Sequence, residues 1–239
     1  MAIPKIIHYC WFGRGAYPDV MKKCIDSWKR FCPGWQFMLW DESSFDVSAV
    51  PWTQQAYAAK KYAFVADYVR LKVLREYGGV YLDIDQELLQ PLDGFLEHRA
   101  FLGFMREDSV SMGILGAEPF HPTICRLLHY YDGRRFLTEG GQDLLPITDW
   151  VTSSLTEDGL KPDDTLQTLK NGVVVYPRAY FCPTYCTQPK SLFTDETVSV
   201  HHWAMTWRTG AEKRKIAWFK FKRRKPVAFL RKVRRRLKG

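Results

Sequence analysis

"AFVADYVRLKVLREYGGVYLDID", Ala63 to Asp85, is the stretch on which the reading of this chain turns. Apolar residues at Ala63, Ala66, Val69, Val73 and Leu74 recur in steps of three and four, the spacing of one helical face. Gly78 and Gly79 then supply a C-terminal stop in a conformation that glycine adopts without strain. A helix is expected over Ala56 to Tyr77, and a strand over Val80 to Asp85. Alternate side chains of a strand share a face, so Tyr81, Asp83 and Asp85 would point one way and Val80, Leu82 and Ile84 the other. Two carboxylates one residue apart offer hard oxygen donors suited to Mg²⁺ or Mn²⁺, yet the same pair can be two acids at a strand end. An EF-hand is excluded. Counted from Asp83, its glycine position holds Leu88 and its final glutamate position holds Gly94.

Outward from this centre, strands and helices alternate. "IPKIIHYCWFG" reads as a first strand, Ile3 to Trp11, ending in a turn at Gly13 and Gly15. Asp19 to Phe31 has helical spacing closed by Pro33-Gly34, and "WQFMLWDE" is a second strand tipped with acids. Downstream, "AFLGFM" and "SMGILGAE" look like short strands, "HPTICRLLHYYDGRRF" a helix, "GVVVYPRAYF" a strand and "TVSVHHWAMTW" a last strand. The pattern predicts an α/β fold with a Rossmann-like, mostly parallel sheet flanked by helices, whose ligands bind beyond the carboxyl ends of the strands.

The 239 residues, 46% hydrophobic, suffice for a substantial core, and an aromatic content of 15% suits carbohydrate or nucleotide binding. The formal net charge of +9 is unevenly spread: Lys213 to the end holds 14 Lys or Arg and no acid, which leaves −5 for residues 1–212. The expected division is therefore a folded domain, 1–212, and a basic tail, 213–239. Within the tail Val227, Leu230, Val233 and Leu237 repeat at helical spacing behind Trp218, Phe219 and Phe221. That is a basic amphipathic segment suited to an anionic membrane surface. Nucleic acid is the competing partner for such a tail, but the acidic body carries no nucleic-acid module. The start, "MAIPKIIHYC", lacks the basic and apolar regions of a secretory signal, and no apolar run reaches the roughly 20 residues of a membrane span. A cytoplasmic chain with reduced thiols is expected, and "CPTYC", Cys182 to Cys186, has no second pair with which to hold zinc.

Two further groups carry chemical interest. Asp67 and Arg70 lie three apart on one helical face within an apolar stripe, where buried charges need partners and a ligand is one candidate. His201 and His202, adjacent on a strand, point to opposite faces, so one could be a ligand while the other is structural.

Together, "IPKIIHYCWFG", "CIDSW", "AFVADYVRLKVLREYGGVYLDID", "GAEPFHP" and "VSVHHWAMTW" resemble, in order, the sugar-binding-region DXD glycosyltransferases of glycosyltransferase family 32, particularly the bacterial capsule and surface-polysaccharide enzymes. The resemblance covers residues 1 to about 208. It implies a GT-A fold, a Mn²⁺ or Mg²⁺ ion, a nucleotide-diphospho-sugar donor (UDP-sugar favoured, GDP-sugar possible) and retaining transfer of a hexose to a hydroxyl of a glycan acceptor. With the tail, it implies a lipid-linked acceptor and peripheral attachment to the inner face of a bacterial membrane. It also implies roles. Asp85 would ligate the metal, with Asp83 holding donor hydroxyls and reaching the metal through water. Asp67 and Arg70 would contact the sugar, and Trp11, with Tyr9 beside it in "HYCWFG", would meet the nucleobase. His201, or its neighbour His202, would serve the metal or diphosphate, and Trp207 would match the Trp of a Ser-Trp pair in which this chain has Thr206. Ala66 stands where Ser often precedes the Asp. No nucleophile is assigned, and Asp143 and Glu118 are the acids to examine near the acceptor. A metal-dependent phosphohydrolase using the same acids is the alternative enzyme.

Overall fold

The computed structural model describes residues 3–184 and 192–204. In chain order the elements are β1 (Ile6–Cys10), α1 (Asp19–Phe31), β2 (Gln36–Trp40), α2 (Pro51–Ala58), α3 (Tyr62–Tyr77), β3 (Gly79–Leu82) and β4 (Gln86–Leu88). There follow β5 (Ala100–Arg106), β6 (Ser109–Ala117), α4 (Pro122–His129), β7 (Leu137–Thr138), β8 (Gly141–Gln142), α5 (Ile147–Glu157), β9 (Gln167–Thr168), β10 (Val173–Tyr176), α6 (Arg178–Phe181) and β11 (Ser199–His201). The central sheet has the order β2-β1-β3-β6-β5-β10-β9. Five of its strands run one way and only β6 and β9 run against them, so the expected mostly parallel α/β sheet is present.

Alternation along the strands fills a core on each face. Tyr81, Leu102 and Leu115 face the layer that includes α2, α3, α4 and α5, while Ile7, Val80, Leu82 and Ile114 face the side of α1. On that second side β4 pairs with β11 in a separate two-stranded sheet, and α1 is fastened to it through Trp28, whose indole N–H donates to the Gln86 carbonyl at 2.6 Å. Among the described residues no helix is long and apolar enough to cross a membrane.

Three expectations need correction, the first being the strand over "GVVVYPRAYF", which ends at Tyr176 and gives way to α6. The helix over Ala56 to Tyr77 is two helices, because α2 closes in a left-handed turn at Lys60 (φ +57°) with the Lys61 amide bonded back to the Ala56 carbonyl at 2.8 Å. Lysine occupies the position where glycine normally marks such a stop. The strand over Val80 to Asp85 ends at Leu82, and the acids lie in a turn in which the Asp83 amide donates to the Gly113 carbonyl (2.7 Å) and the Gln86 amide to the Asp83 carbonyl (2.8 Å). A turn, and not strand alternation, orients the two carboxylates.

The junction of α3 with β3 is tightly specified. Gly78 and Gly79 both have positive φ, and a Cβ would lie 2.6 Å from Pro119 at the first and 2.8 Å from the Ile6 carbonyl at the second. His8, fully buried, fastens the junction. Its Nδ1 accepts from the Trp40 indole at 3.1 Å, so its Nε2–H donates to the Gly78 carbonyl at 2.8 Å. Burial lowers the His8 pKa to about 4, and the bond to Gly78 opposes this only in part.

The folded state thus keeps His8 neutral while an unfolded chain protonates it near 6.5. Its contribution is complete above pH 6.5 and is lost as pH falls toward 4, by at most about 3 kcal/mol. Urea unfolding of wild type and His8→Gln should therefore show a stability gap that narrows by about 2 to 3 kcal/mol between pH 7.5 and pH 4.5. A gap independent of pH would reject this account.

Candidate metal and donor site

The strands β1, β2 and β3 run parallel and end side by side at Cys10, Trp40 and Leu82, so the acidic turn stands at the carboxyl edge of the sheet. Asp85 is nearly buried. Its Oδ1 lies 3.1 Å from His201 Nε2, its Oδ2 accepts from the Ala204 amide at 2.7 Å, and its carbonyl accepts from the His202 amide at 3.0 Å. Asp83 Oδ2 stands 3.9 Å from the same imidazole nitrogen. Asp83, Asp85 and His201 can each direct one donor atom to a common point, the three atoms lying within 4.8 Å of one another.

The charges at this cluster are settled by its neighbours. Burial would raise the Asp85 pKa, but His201 and the Ala204 amide outweigh it and hold the carboxylate ionised. Burial would lower that of His201, but Asp85 first and Asp83 after it push it upward. Two carboxylates and an imidazole form a donor set that suits Mn²⁺ and accepts Mg²⁺. Space is available as well. A Cβ at Gly113 would stand 3.0 Å from His201 Nδ1 and 3.1 Å from Asp83 Oδ2, so glycine keeps open the floor of the cradle.

Asp83 also faces the opposite way. Its Oδ1 accepts from the Tyr81 hydroxyl at 3.2 Å and lies 3.4 Å from the Arg70 guanidinium, which itself pairs with Asp67 at 2.9 Å. Arg70 is buried, donates to the Met112 carbonyl and stacks over the Tyr81 ring at 4.6 Å. Burial alone would lower its pKa, but Tyr81, Asp83 and Asp67 together raise it, so the guanidinium stays charged. Burial pushes the Asp67 carboxyl up to about 6, with Arg70 pulling the other way. The expected Asp67–Arg70 pair is present and continuous with the acidic turn.

At the end of β1, Trp11 is half-buried, its indole N–H bonded to the Gly15 carbonyl at 2.6 Å and its ring edge-on to Tyr17. The Gly13 amide beside it donates to Glu42 at 2.6 Å, which anchors this loop. Tyr9 leans on Trp28 of α1. Trp207, Thr206 and Cys186 lie outside the described residues, as does the tail.

Two expectations change. His202 is not in the cluster, because strand alternation turns its ring to the other side, where Nε2 meets Glu87 at 2.7 Å. Glu118 lies at the far end of the sheet. It follows β6, whose last residues pair with the start of β3, and it is bound to Arg99. Asp143, the other acid considered for the acceptor, is paired with Arg134 at 2.7 Å. Sequence reasoning missed Gly113, although a glycine inside the strand-like "SMGILG" is a recognised sign of close approach. It also missed Trp203, which stacks on His201 at 4.0 Å, and the Ala204 amide.

Residues 18–102 match the family model described as glycosyltransferase sugar-binding region containing DXD motif, a span that includes Asp67, Arg70, Asp83 and Asp85 and stops short of His201. The chain is similar to inositol phosphoceramide mannosyltransferase 3 of Schizosaccharomyces pombe, 31% identical over 135 residues, covering 53% of this chain and 36% of that one. Similarity to mannosyl phosphorylinositol ceramide synthase SUR1 of Saccharomyces cerevisiae is 31% over 145 residues, covering 56% and 37%. The matched region thus spans little more than a third of the length of these relatives. Among solved structures, the PaToxG glycosyltransferase aligns with a TM-score of 0.47 at 19% identity, covering 65% of this chain and 71% of its own.

If Gly113 keeps the cradle open, Gly113→Ala should leave the fold intact and weaken Mn²⁺ binding about tenfold, the scale of a disturbed ligand orientation. Thermal shift against Mn²⁺ concentration reads this directly. An unchanged midpoint would remove Gly113 from the site.

Proposed function

We propose that the chain is a metal-dependent, retaining hexosyltransferase of GT-A type that moves a sugar from a nucleotide-diphospho-sugar to a hydroxyl of a lipid-linked glycan acceptor. The observation that carries this is the convergence of Asp83, Asp85 and His201 beside a buried Asp67–Arg70 pair at the carboxyl edge of the sheet. The family match over residues 18–102 supports the class of reaction. The two fungal relatives are named as an inositol phosphoceramide mannosyltransferase and a mannosyl phosphorylinositol ceramide synthase, which supports an acceptor borne on lipid and makes mannose a first donor sugar to test.

In this reading Asp85 and His201 would hold Mn²⁺ or Mg²⁺, and Asp83 would hold donor hydroxyls. When bound, the ion supplies Lewis-acid stabilisation of the charge that develops on the departing diphosphate. The remaining work belongs to side chains. Asp67 is ionised at neutral pH and accepts hydrogen bonds from sugar hydroxyls, while Arg70, its charge fixed by three partners, holds Asp67 and Asp83 at constant separation. Trp11 offers a ring at the end of β1 for the base. The bond between the anomeric carbon and the diphosphate oxygen breaks as the acceptor oxygen attacks from the same side, and the acceptor proton passes to the leaving diphosphate. Glu118, paired with Arg99 at the opposite end of the sheet, is not placed to act as a nucleophile in this reading. Attachment through the basic tail, 213–239, to the inner face of a bacterial membrane, where capsule or surface polysaccharide is built, belongs to the same proposal and is supported by the tail's composition.

Incubation with a panel of UDP- and GDP-hexoses and Mn²⁺ should give metal-dependent stabilisation and turnover for one donor. Asp85→Asn should lower that turnover about 100-fold or more, as expected when one stabiliser of transition-state charge is lost. Turnover unchanged in Asp85→Asn at saturating Mn²⁺ would overturn the assignment of Asp85, and hydrolysis that no acceptor ever diverts into transfer would favour a phosphohydrolase.

A further inference from the structure

We infer that Glu87 and His202 form a positioning clamp for His201, tied to α1 through Lys23. The inference rests on the metal reading above and assigns a task to the second histidine of the "HH" pair, which does not reach the cluster.

Histidines that bind metals usually have the ring fixed by a hydrogen bond from the other nitrogen. His201 has none: its Nδ1 is buried and, among the described residues, without a hydrogen-bond partner. Its orientation must come from the strand that carries it and from the Trp203 ring stacked upon it. That strand, β11, has three residues and, among the described residues, pairs only with the equally short β4, Ser199 opposite Leu88, Val200 opposite Glu87 and His201 opposite Gln86. So short a ladder leaves its register weakly specified unless side chains pin it. Two such pins flank His201. Before it, the Gln86 side-chain amide donates to the Ser199 hydroxyl at 2.6 Å. After it, His202 Nε2–H donates to Glu87 Oε2 at 2.7 Å, and Lys23 of α1 reaches both oxygens of the same carboxylate at 2.9 and 3.0 Å.

The Glu87 side chain is only 13% exposed, so its contacts are less screened than those of a surface pair. It sits on the strand that immediately follows Asp85, and His202 immediately follows His201. Glu87 lies two residues after Asp85 and His202 one residue after His201, so the bond between them ties β4 to the end of β11 just downstream of both ligands. Loss of the clamp would let β11 shift on β4 and move His201 from Asp85, while both central cores stay as they are.

The test is Mn²⁺ binding to the full chain, followed by the paramagnetic resonance of the free ion and by thermal shift in its presence and absence. Glu87→Ala should weaken Mn²⁺ binding about tenfold or more, the size found when an outer partner of a metal ligand is lost. Glu87→Gln, which keeps an acceptor for His202, should recover most of it. His202→Phe should match Glu87→Ala, and the double variant should be little weaker than either single one, because the two changes break one interaction. A role in general stability would lower the metal-free melting temperature and leave Mn²⁺ affinity alone; that result, or additive losses in the double variant, overturns the clamp. If Glu87→Ala does not fold, His202→Phe with Glu87→Gln decides the matter by the same criteria. Wild type that binds Mn²⁺ while all variants bind it equally defeats the clamp only. Wild type that leaves the free-ion signal unchanged defeats the metal reading and the clamp with it.

Discussion

The site depends first on a backbone constraint, the pair of left-handed glycines that turns α3 directly into β3. At Gly79 a methyl group would press against the Ile6 carbonyl, and at Gly78 against Pro119, so the chain can make this turn only with no side chain there. The buried His8 holds the turn from below with a proton that burial keeps from being joined by a second. Because helix and strand are joined without slack, the distance between Arg70 on one and Asp83 beyond the other is set by the fold itself.

That distance matters because Asp83 is shared. One of its oxygens faces Tyr81 and Arg70, the other faces His201 and Asp85, so a single carboxylate links the pair on α3 to the cluster on the other side of the turn. Arg70 could not stay charged at this depth alone. A buried ion that loses its partner costs about 3 to 5 kcal/mol, and here the partners are Asp67, Asp83, the Tyr81 ring and a backbone carbonyl. The network is thus satisfied within the protein on one side and open to a cation on the other.

Much of this was legible in the sequence because local rules were obeyed. The α1 limits follow from spacing and from Pro33-Gly34, and the Gly78-Gly79 stop lies where the pattern places it. The Asp67–Arg70 contact follows from helical spacing, and the opposite facing of His201 and His202 from strand alternation. What could not be read was set by distant contacts. Lys60 takes a conformation that its residue type does not advertise, and the chain turns after Asp83, where the Gln86 amide bonds back to the Asp83 carbonyl, although the alternation in "VYLDID" continues unbroken. The place of Glu118 depends on the direction in which β6 runs, which no feature within "SMGILGAE" specifies. Local chemistry named the residues, while sheet topology decided which of them meet.

The arrival of His201 on a separate two-stranded sheet has a consequence for biosynthesis. Asp83, Asp85, Asp67 and Arg70 are all present when less than half of the chain has emerged from the ribosome, and strands β1, β2 and β3 could already pair. The third donor and the Ala204 amide that steadies Asp85 are supplied more than a hundred residues later. A nascent or prematurely terminated chain therefore exposes an acidic turn without its imidazole, and the complete donor set exists only after the late segment has docked against β4. In the order of synthesis the first strands of the sheet thus come early and the residues that complete the candidate donor set come late.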